Sequence, residues 1–219
     1  MKISYGITVH NEADELNRLL EVLIKNIDEE DEIVICDDFS NKETIDVIDH
    51  WDLHSSDSRQ FKVYKRKLEN DFAAHKNSVI ENSTGDYIFH IDADEYPHEI
   101  LLLQLKTILD INDVDLIWIP RVNTVDGFTE QDVQKWGWRV TEQGWVNYPD
   151  YQARVFRNHE DIKWVRPLHE LITGAKTYAH LPPQEELSLY HPKTKEKQEQ
   201  QNKFYMDNFS RDLLVRRDG

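Results

Sequence analysis

Apolar and polar positions alternate along the first 120 residues in a repeating order: short apolar run, then amphipathic stretch. Ile3–Val9 reads as a buried strand. After His10-Asn11-Glu12, the apolar positions Leu16, Leu19, Leu20, Leu23 and Ile27 recur with helical spacing, and Asn11 is placed to cap that helix. Ile33-Val34-Ile35-Cys36 predicts a second strand, ending at Asp37-Asp38-Phe39-Ser40. A second helix carries Ile45, Val47, Ile48 and Trp51. Phe61–Lys65 predicts a third strand, and Ala73–Asn82 a helix with a stop signal at Ser83-Thr84-Gly85. Tyr87–Ile91 predicts the fourth strand. Pro97 suits the first turn of a helix bearing Ile100, Leu101, Leu103, Leu105 and Ile108, and Leu116–Ile119 predicts a fifth strand stopped by Pro120.

Strands alternating with amphipathic helices imply an α/β fold, a mostly parallel sheet with helices on both faces. Such sheets bind ligands beyond the carboxyl ends of their strands. The polar clusters Asn11-Glu12, Asp37-Asp38 and Asp92-Asp94 all follow strands, so they are expected on one rim although distant in sequence. Beyond Pro120 the periodicity fades. Residues 121–150 carry Trp136, Trp138, Trp145 and Tyr148; Tyr151–Arg157 and Leu187–Pro192 read as strands; Lys193–Arg217 is charged and helical in pattern. The expected division of one compact domain is 1–120, 121–192 and 193–219.

The fourth strand runs into Asp92-Ala93-Asp94-Glu95. In extended chain, residues two apart share a face, so Asp92 and Asp94 can converge on one hard divalent cation. Glu95 reads instead as a helix-start carboxylate near the positive end of the macrodipole. Of the adjacent pair Asp37-Asp38, one carboxylate is expected to hold a base or ribose and the other to cap the next helix.

Charge sharpens this picture. Residues 1–120 hold 27 Asp and Glu against 11 Lys and Arg, whereas 121–219 hold 15 of each. An acidic half disfavours nucleic acid and anionic membranes. A diphosphate bound there needs a cation to neutralise the contact. The chain has neither GxGxxG nor GxxxxGK[ST], and only 7 Gly, which argues against a glycine cradle for phosphates. One cysteine, Cys36, leaves no internal disulfide. No apolar run is long enough to span a bilayer, so no integral membrane segment is expected and the expected setting is cytoplasmic.

Ile-Thr-Val-His-Asn-Glu (7–12), Cys-Asp-Asp-Phe-Ser (36–40), His-Lys-Asn (75–77) and Gly-Asp-Tyr-Ile-Phe-His-Ile-Asp-Ala-Asp-Glu (85–95), in that order, resemble the nucleotide-sugar half of family 2 glycosyltransferases with the GT-A fold. Arg154-Val-Phe-Arg157 and Trp164-Val-Arg-Pro-Leu-His-Glu170 extend the likeness, the latter being similar to the W-x-x-x-V-H-E segment of small bacterial members. The resemblance implies transfer of a sugar from a nucleotide sugar, a UDP-sugar by expectation, to a saccharide or other hydroxyl acceptor. It implies inversion at the anomeric carbon. Nucleotide-binding residues would be Thr8, Val9, His10, Asn11, Glu12, Asp38, Lys76, Asp92 and Ala93. Asp92 and Asp94 would be the D-x-D that holds Mn²⁺ or Mg²⁺, with His191 the first choice as third ligand and His169 the second. Glu170 would be the general base. Trp136, Trp138, Trp145 and His169 would face the acceptor, and Arg121, Arg139 or Arg166 would meet an anionic group. Lys76 stands where many members carry Arg; a point charge replaces a fork, which alters its phosphate or base contact. The chain has no Gln-x-x-Arg-Trp motif, and Gln152-Ala153-Arg154 only approaches one, so one sugar per event is expected rather than a polymer. Clustered carboxylates with a divalent ion would equally suit a phosphohydrolase or nucleotidyltransferase, and a non-catalytic sugar-binding module would keep the same fold.

Overall fold

The computed structural model describes residues 1–54, 60–210 and 213. Four parallel strands form one half of the sheet. β1 (Ile3–Val9) lies between β2 (Glu32–Asp37) and β4 (Tyr87–Asp92), and β3 (Gln60–Lys65) flanks β2. Three helices return the chain between them: α1 (Ala13–Asn26), α2 (Lys42–His54) and α3 (Phe72–Asn82). Both faces of β1, β2 and β4 are covered, which is why they read as continuous apolar runs, whereas β3 at the edge is partly exposed.

Two long strands continue the sheet. After the two-residue β5 (Tyr96–Pro97) and α4 (Glu99–Asn112), β6 spans Leu116–Asp126 and, beyond the short α5 (Glu130–Trp136), β7 spans Val146–Arg157. β7 runs antiparallel between β4 and β6. A two-stranded ribbon of β8 (Lys163–Val165) and β9 (Leu171–Thr173) follows, then β10 (Tyr178–His180) and β11 (Leu189–Thr194), both parallel to β6, and finally α6 (Lys195–Asn208). The order across the main sheet is β3-β2-β1-β4-β7-β6-β11-β5, with β10 also on β6. The parallel half is as expected; the antiparallel β7 at its centre is not, because a strand pairing with a segment some 60 residues earlier leaves no local periodicity.

Several boundary expectations are corrected. Asn11 does not cap α1. Its backbone is left-handed (φ 56°), a conformation Asn tolerates, and its side chain accepts from Asn41 N at 2.6 Å, joining the loops after β1 and β2. Glu12 takes the cap position without a side-chain hydrogen bond. Gly85 is no helix stop: α3 ends at Ser83 in extended backbone, and Gly85 is required because a Cβ there would lie 2.6 Å from Ser4 N. Pro97 belongs to β5, and the His98 side chain caps α4 by accepting from Ile100 N. Pro120 does not stop β6. It falls between the stretch paired with β10, ending at Trp118, and the stretch paired with β11, beginning at Arg121. The predicted C-terminal helix is observed over α6; Arg216 and Arg217 lie outside the described residues.

Candidate active site

The carboxyl ends of β1, β2 and β4 open onto one cavity of about 870 Å³. Thr8, Val9, His10, Glu12 and Asp38 line it from the first two strand ends, and Asp92, Ala93 and Asp94 from the third. The three strands end within one residue of each other because they are in parallel register: Val9 is opposite Asp37, and Thr8 is opposite Asp92. Asn11 is not part of the lining.

The two aspartates after β2 divide their work differently from expectation. Asp37 is buried and accepts from Ser40 N at 2.9 Å, shaping the loop, while Asn41 caps α2 by accepting from Thr44 N. Asp38 accepts from Leu68 N at 3.0 Å and lines the cavity, and His10 Nδ1 donates to the Asp38 carbonyl at 2.8 Å.

Asp92 is gripped from two sides. Arg154 Nη2 lies 2.6 Å from its Oδ2, and Lys76 Nζ lies 3.2 Å from its Oδ1. Burial works to raise the Asp92 pKa, but the charges of Arg154 and Lys76 overcome it and hold the carboxyl well below the usual range. Glu95 is not a solvated helix-start carboxylate. It is buried, accepts from Arg154 and Arg121 at 2.6 Å each, and precedes α4 by a whole β5. The turn after Asp92 aims it inward, where Arg121 also grips Asp150 through Nε at 3.0 Å and Nη2 at 2.6 Å. Arg121 is thus spent on carboxylates.

Asp94 faces a different partner. β11 lies parallel to β6 with His191 opposite Asn123, and His191 Nε2 lies 3.2 Å from Asp94 Oδ2. Asn123 Nδ2 donates to Asp150 at 3.0 Å, so its Oδ1 is left to accept from His191 Nδ1 at 2.7 Å. Burial lowers the His191 pKa despite the Asp94 charge. His191 Nε2 and the Asp94 carboxylate thus meet in one space, where the two could hold a cation. A carboxylate with an imidazole suits Mn²⁺ better than Mg²⁺. Among the described residues no group of three or more His, Cys, Asp or Glu is placed to hold a metal ion by itself. Asp94 and His191 are the residues here that could hold a cation, together with oxygens of a ligand. The His169 ring meets the Tyr205 ring at 6.3 Å.

Glu12 shares this end of the cavity. Burial, and next the charge of Asp94, push its pKa up to about 8. A carboxyl raised on folding favours the folded state below its unfolded value, about 4.5, and loses that advantage as pH rises to about 8. Glu12→Gln is expected to flatten the decline of melting temperature between those pH values; a decline as steep as in the parent would show that Glu12 is ionised throughout.

Glu170 lies across the cavity, on the turn between β8 and β9. Its Oε1 is 2.7 Å from Lys76 Nζ. Burial works to raise its pKa, yet the Lys76 charge and hydrogen bond hold it below the ordinary carboxylate value. Aromatic side chains surround this side: Trp118, Tyr151, Trp164, Phe72 and, from α6, Tyr205. Of the tryptophans expected at the acceptor, Trp138 lines the cavity. Trp136 packs on Trp138 at 4.6 Å, and Trp145 packs on Tyr148 at 4.8 Å; neither is in the lining.

Sequence reasoning assigned Arg154 no role. The available signal was a charged residue inside an apolar strand: it lies next to Val155 and Phe156, and is itself only 3% exposed. The contribution of α6 to the cavity, through Gln198, Gln201 and Tyr205, carried no signal in a helix of such polar composition.

The model of glycosyl transferase family 2 matches residues 4–178. The chain belongs to that family. It is 26% identical over 136 residues to the SPbeta prophage-derived glycosyltransferase SunS of Bacillus subtilis, covering 61% of this chain and 30% of SunS. It is 28% identical over 174 residues to a TPR repeat-containing protein of Synechococcus elongatus, covering 78% of this chain and 35% of that protein. The chain thus spans about a third of the length of these family relatives. Residues 1–349 of S. aureus TarS, solved in complex with UDP-GlcNAc, superpose with a TM-score of 0.63 at 17% identity, covering 88% of this chain and 58% of that one. The fold is GT-A. No helix among the described residues is long and apolar enough to cross a membrane.

Proposed function

We propose that this chain is a metal-dependent glycosyltransferase that moves a sugar from a nucleotide sugar, a UDP-sugar in our reading, to an acceptor hydroxyl with inversion. The observation that carries the reading is that Thr8, Val9, His10, Glu12 and Asp38, the pair Asp94–His191, and the carboxylate Glu170 all line one cavity; we read them as nucleoside rim, cation pair and base. Binding of TarS to UDP-GlcNAc supports the uridine donor by analogy of fold.

Asp38 and the loop after β1 would hold the nucleoside. Asp94 and His191 would hold Mn²⁺, with Asp92 oriented beside them by Arg154. When bound, the ion supplies positive charge to a leaving diphosphate. Glu170, kept ionised by Lys76, accepts the proton of the acceptor hydroxyl as its oxygen attacks the anomeric carbon. Trp118 and Tyr151 offer flat apolar faces for sugar rings. Burial works to raise the Asp94 pKa, but His191 and then Lys193, 3.8 Å away, hold the carboxyl below the usual range.

Titration calorimetry with UDP tests the cation pair. The parent is expected to bind UDP more tightly with Mn²⁺ than with chelator. His191→Ala and Asp94→Asn are each expected to remove most of that difference while retaining the metal-independent part. Unchanged Mn²⁺ dependence in both variants would exclude this pair as the cation site.

A further inference from the structure

We infer that Lys76 is the positioning residue of the general base: its buried ammonium fixes one oxygen of Glu170, leaves the other to the acceptor, and ties the base to the donor-side carboxylate Asp92. This rests on the reading of Glu170 as the base.

A lysine at this place contradicts its local pattern. It occupies the buried face of α3 beside Ala73 and Val79, at 6% exposure, where an apolar side chain is the ordinary choice. Its ammonium reaches Glu170 Oε1 at 2.7 Å and Asp92 Oδ1 at 3.2 Å, and lies 4.8 Å over the ring of Trp164. Its ammonium thus sits between two carboxylates and a π face, and its contacts join the two functional carboxylates.

The partition between those carboxylates is unequal. Asp92 also has Arg154. Among the described residues Glu170 has no cationic partner except Lys76. The same helix grips the base loop at two further points. Phe72 N donates to Pro167 O at 3.0 Å, and the Asn77 side chain exchanges two hydrogen bonds with the Trp164 backbone, each 2.9 Å. The same loop holds Arg166 (φ 77°) and His169 (φ 53°) in left-handed backbone, a cost that persists only where surroundings impose it. The anchors and Lys76 together set where the Glu170 carboxylate points. This is the relation of a base to its orienting partner in nucleophile–base–orienter arrangements.

The groups facing Glu170 are Lys76 from α3, Asp92 from β4 and Tyr205 from α6, with His169 and Arg166 on its own loop. Tyr205 is held above the ordinary phenol range, first by burial and then by the charges of Glu170 and Asp92, and stays protonated through the working range. Lys76 stays charged: burial works against it, and the two carboxylates outweigh that.

The experiment is the pH profile of sugar transfer for the parent, Lys76→Met and Lys76→Arg, with donor affinity measured alongside. In Lys76→Met the acid limb of kcat/KM is expected to move up by roughly 2 pH units, because Glu170 then sits desolvated without its cation. At pH 7 its kcat is expected to fall at least about tenfold and to recover in part at higher pH. Lys76→Arg, which restores the charge, is expected to return the limb toward its original position. A uniform loss at every pH with the limb unmoved would overturn the inference. So would Lys76→Met activity equal to the parent's. Glu170→Gln separates the two claims: near-parent transfer in that variant sinks the base reading, whereas its loss together with an unmoved limb in Lys76→Met sinks only the role of Lys76. If Lys76→Met does not fold, ¹³C titration of the Glu170 carboxyl in the parent, assigned by difference from Glu170→Gln, decides. A pKa below that of an ordinary glutamate supports the inference, and a raised one overturns it.

Discussion

Glu170→Gln is expected to lower kcat for sugar transfer by about 10²–10⁴-fold while donor affinity stays within a few-fold of the parent. The amide keeps the size of the side chain and can still accept from Lys76, which retains Asp92 as a partner at 3.2 Å. The substitution removes one thing, the lone pair of an ionised carboxylate near the acceptor. Steady-state transfer assays paired with calorimetric titration of the donor separate the two effects. Equal losses of donor binding and of turnover would place Glu170 in the donor site instead.

The second large effect concerns stability. Arg154 is buried between Asp92 and Glu95, 2.6 Å from each through the same nitrogen. Arg154→Leu leaves both carboxylates in the interior with less compensation, Asp92 with Lys76 and Glu95 with Arg121. Removing one member of such a buried set costs about 3–5 kcal/mol, a large part of the stability of an ordinary domain. The pH dependence follows from the depressed pKa of Asp92. A carboxyl lowered on folding contributes stability that is present above its unfolded value, 3.8, and lost as pH falls through the folded one. The variant lacks that contribution, so its deficit is expected to be full from neutrality down to about pH 4 and to shrink as pH falls below that. Urea unfolding at about pH 7 and about pH 3 measures this. A deficit under about 1 kcal/mol at pH 7 would mean that the network closes without Arg154.

The parallel half of the fold was legible because β1, β2 and β4 are buried on both faces and the helices between the strands carry apolar positions at helical spacing. Those features are local: they place β1, β2 and β4, and with them the rim that carries Asp38, Asp92 and Asp94. The other half was not legible for a reason that is also physical. β7 is buried through pairing with β4 and β6, segments far away in the chain, and its inward positions include Arg154, whose charge is satisfied only by residues some 60 positions earlier. Glu95 was misread on the same account. In the sequence it looks like the first carboxylate of a helix; in the fold it is the shared acceptor of two arginines. His191 shows the opposite case. Of 10 histidines His191 was the first choice and His169 the second, and the register of β11 on β6 brings His191 to Asp94. Trp136 and Trp145 show the limit of composition: flat aromatic faces were expected at the acceptor, and these two pack against other rings.

The central claim is that Asp38, the Asp94–His191 pair and Glu170 serve one nucleotide-sugar reaction. The most direct measurement is release of nucleoside diphosphate from a panel of nucleotide sugars, with Mn²⁺ and with chelator, in the absence of acceptor. Slow release from one donor, a UDP-sugar, that disappears with chelator is the expected result, and it would fix base and sugar together. Release of inorganic phosphate or pyrophosphate from nucleotides lacking a sugar, or no release and no binding of any donor, would contradict the claim.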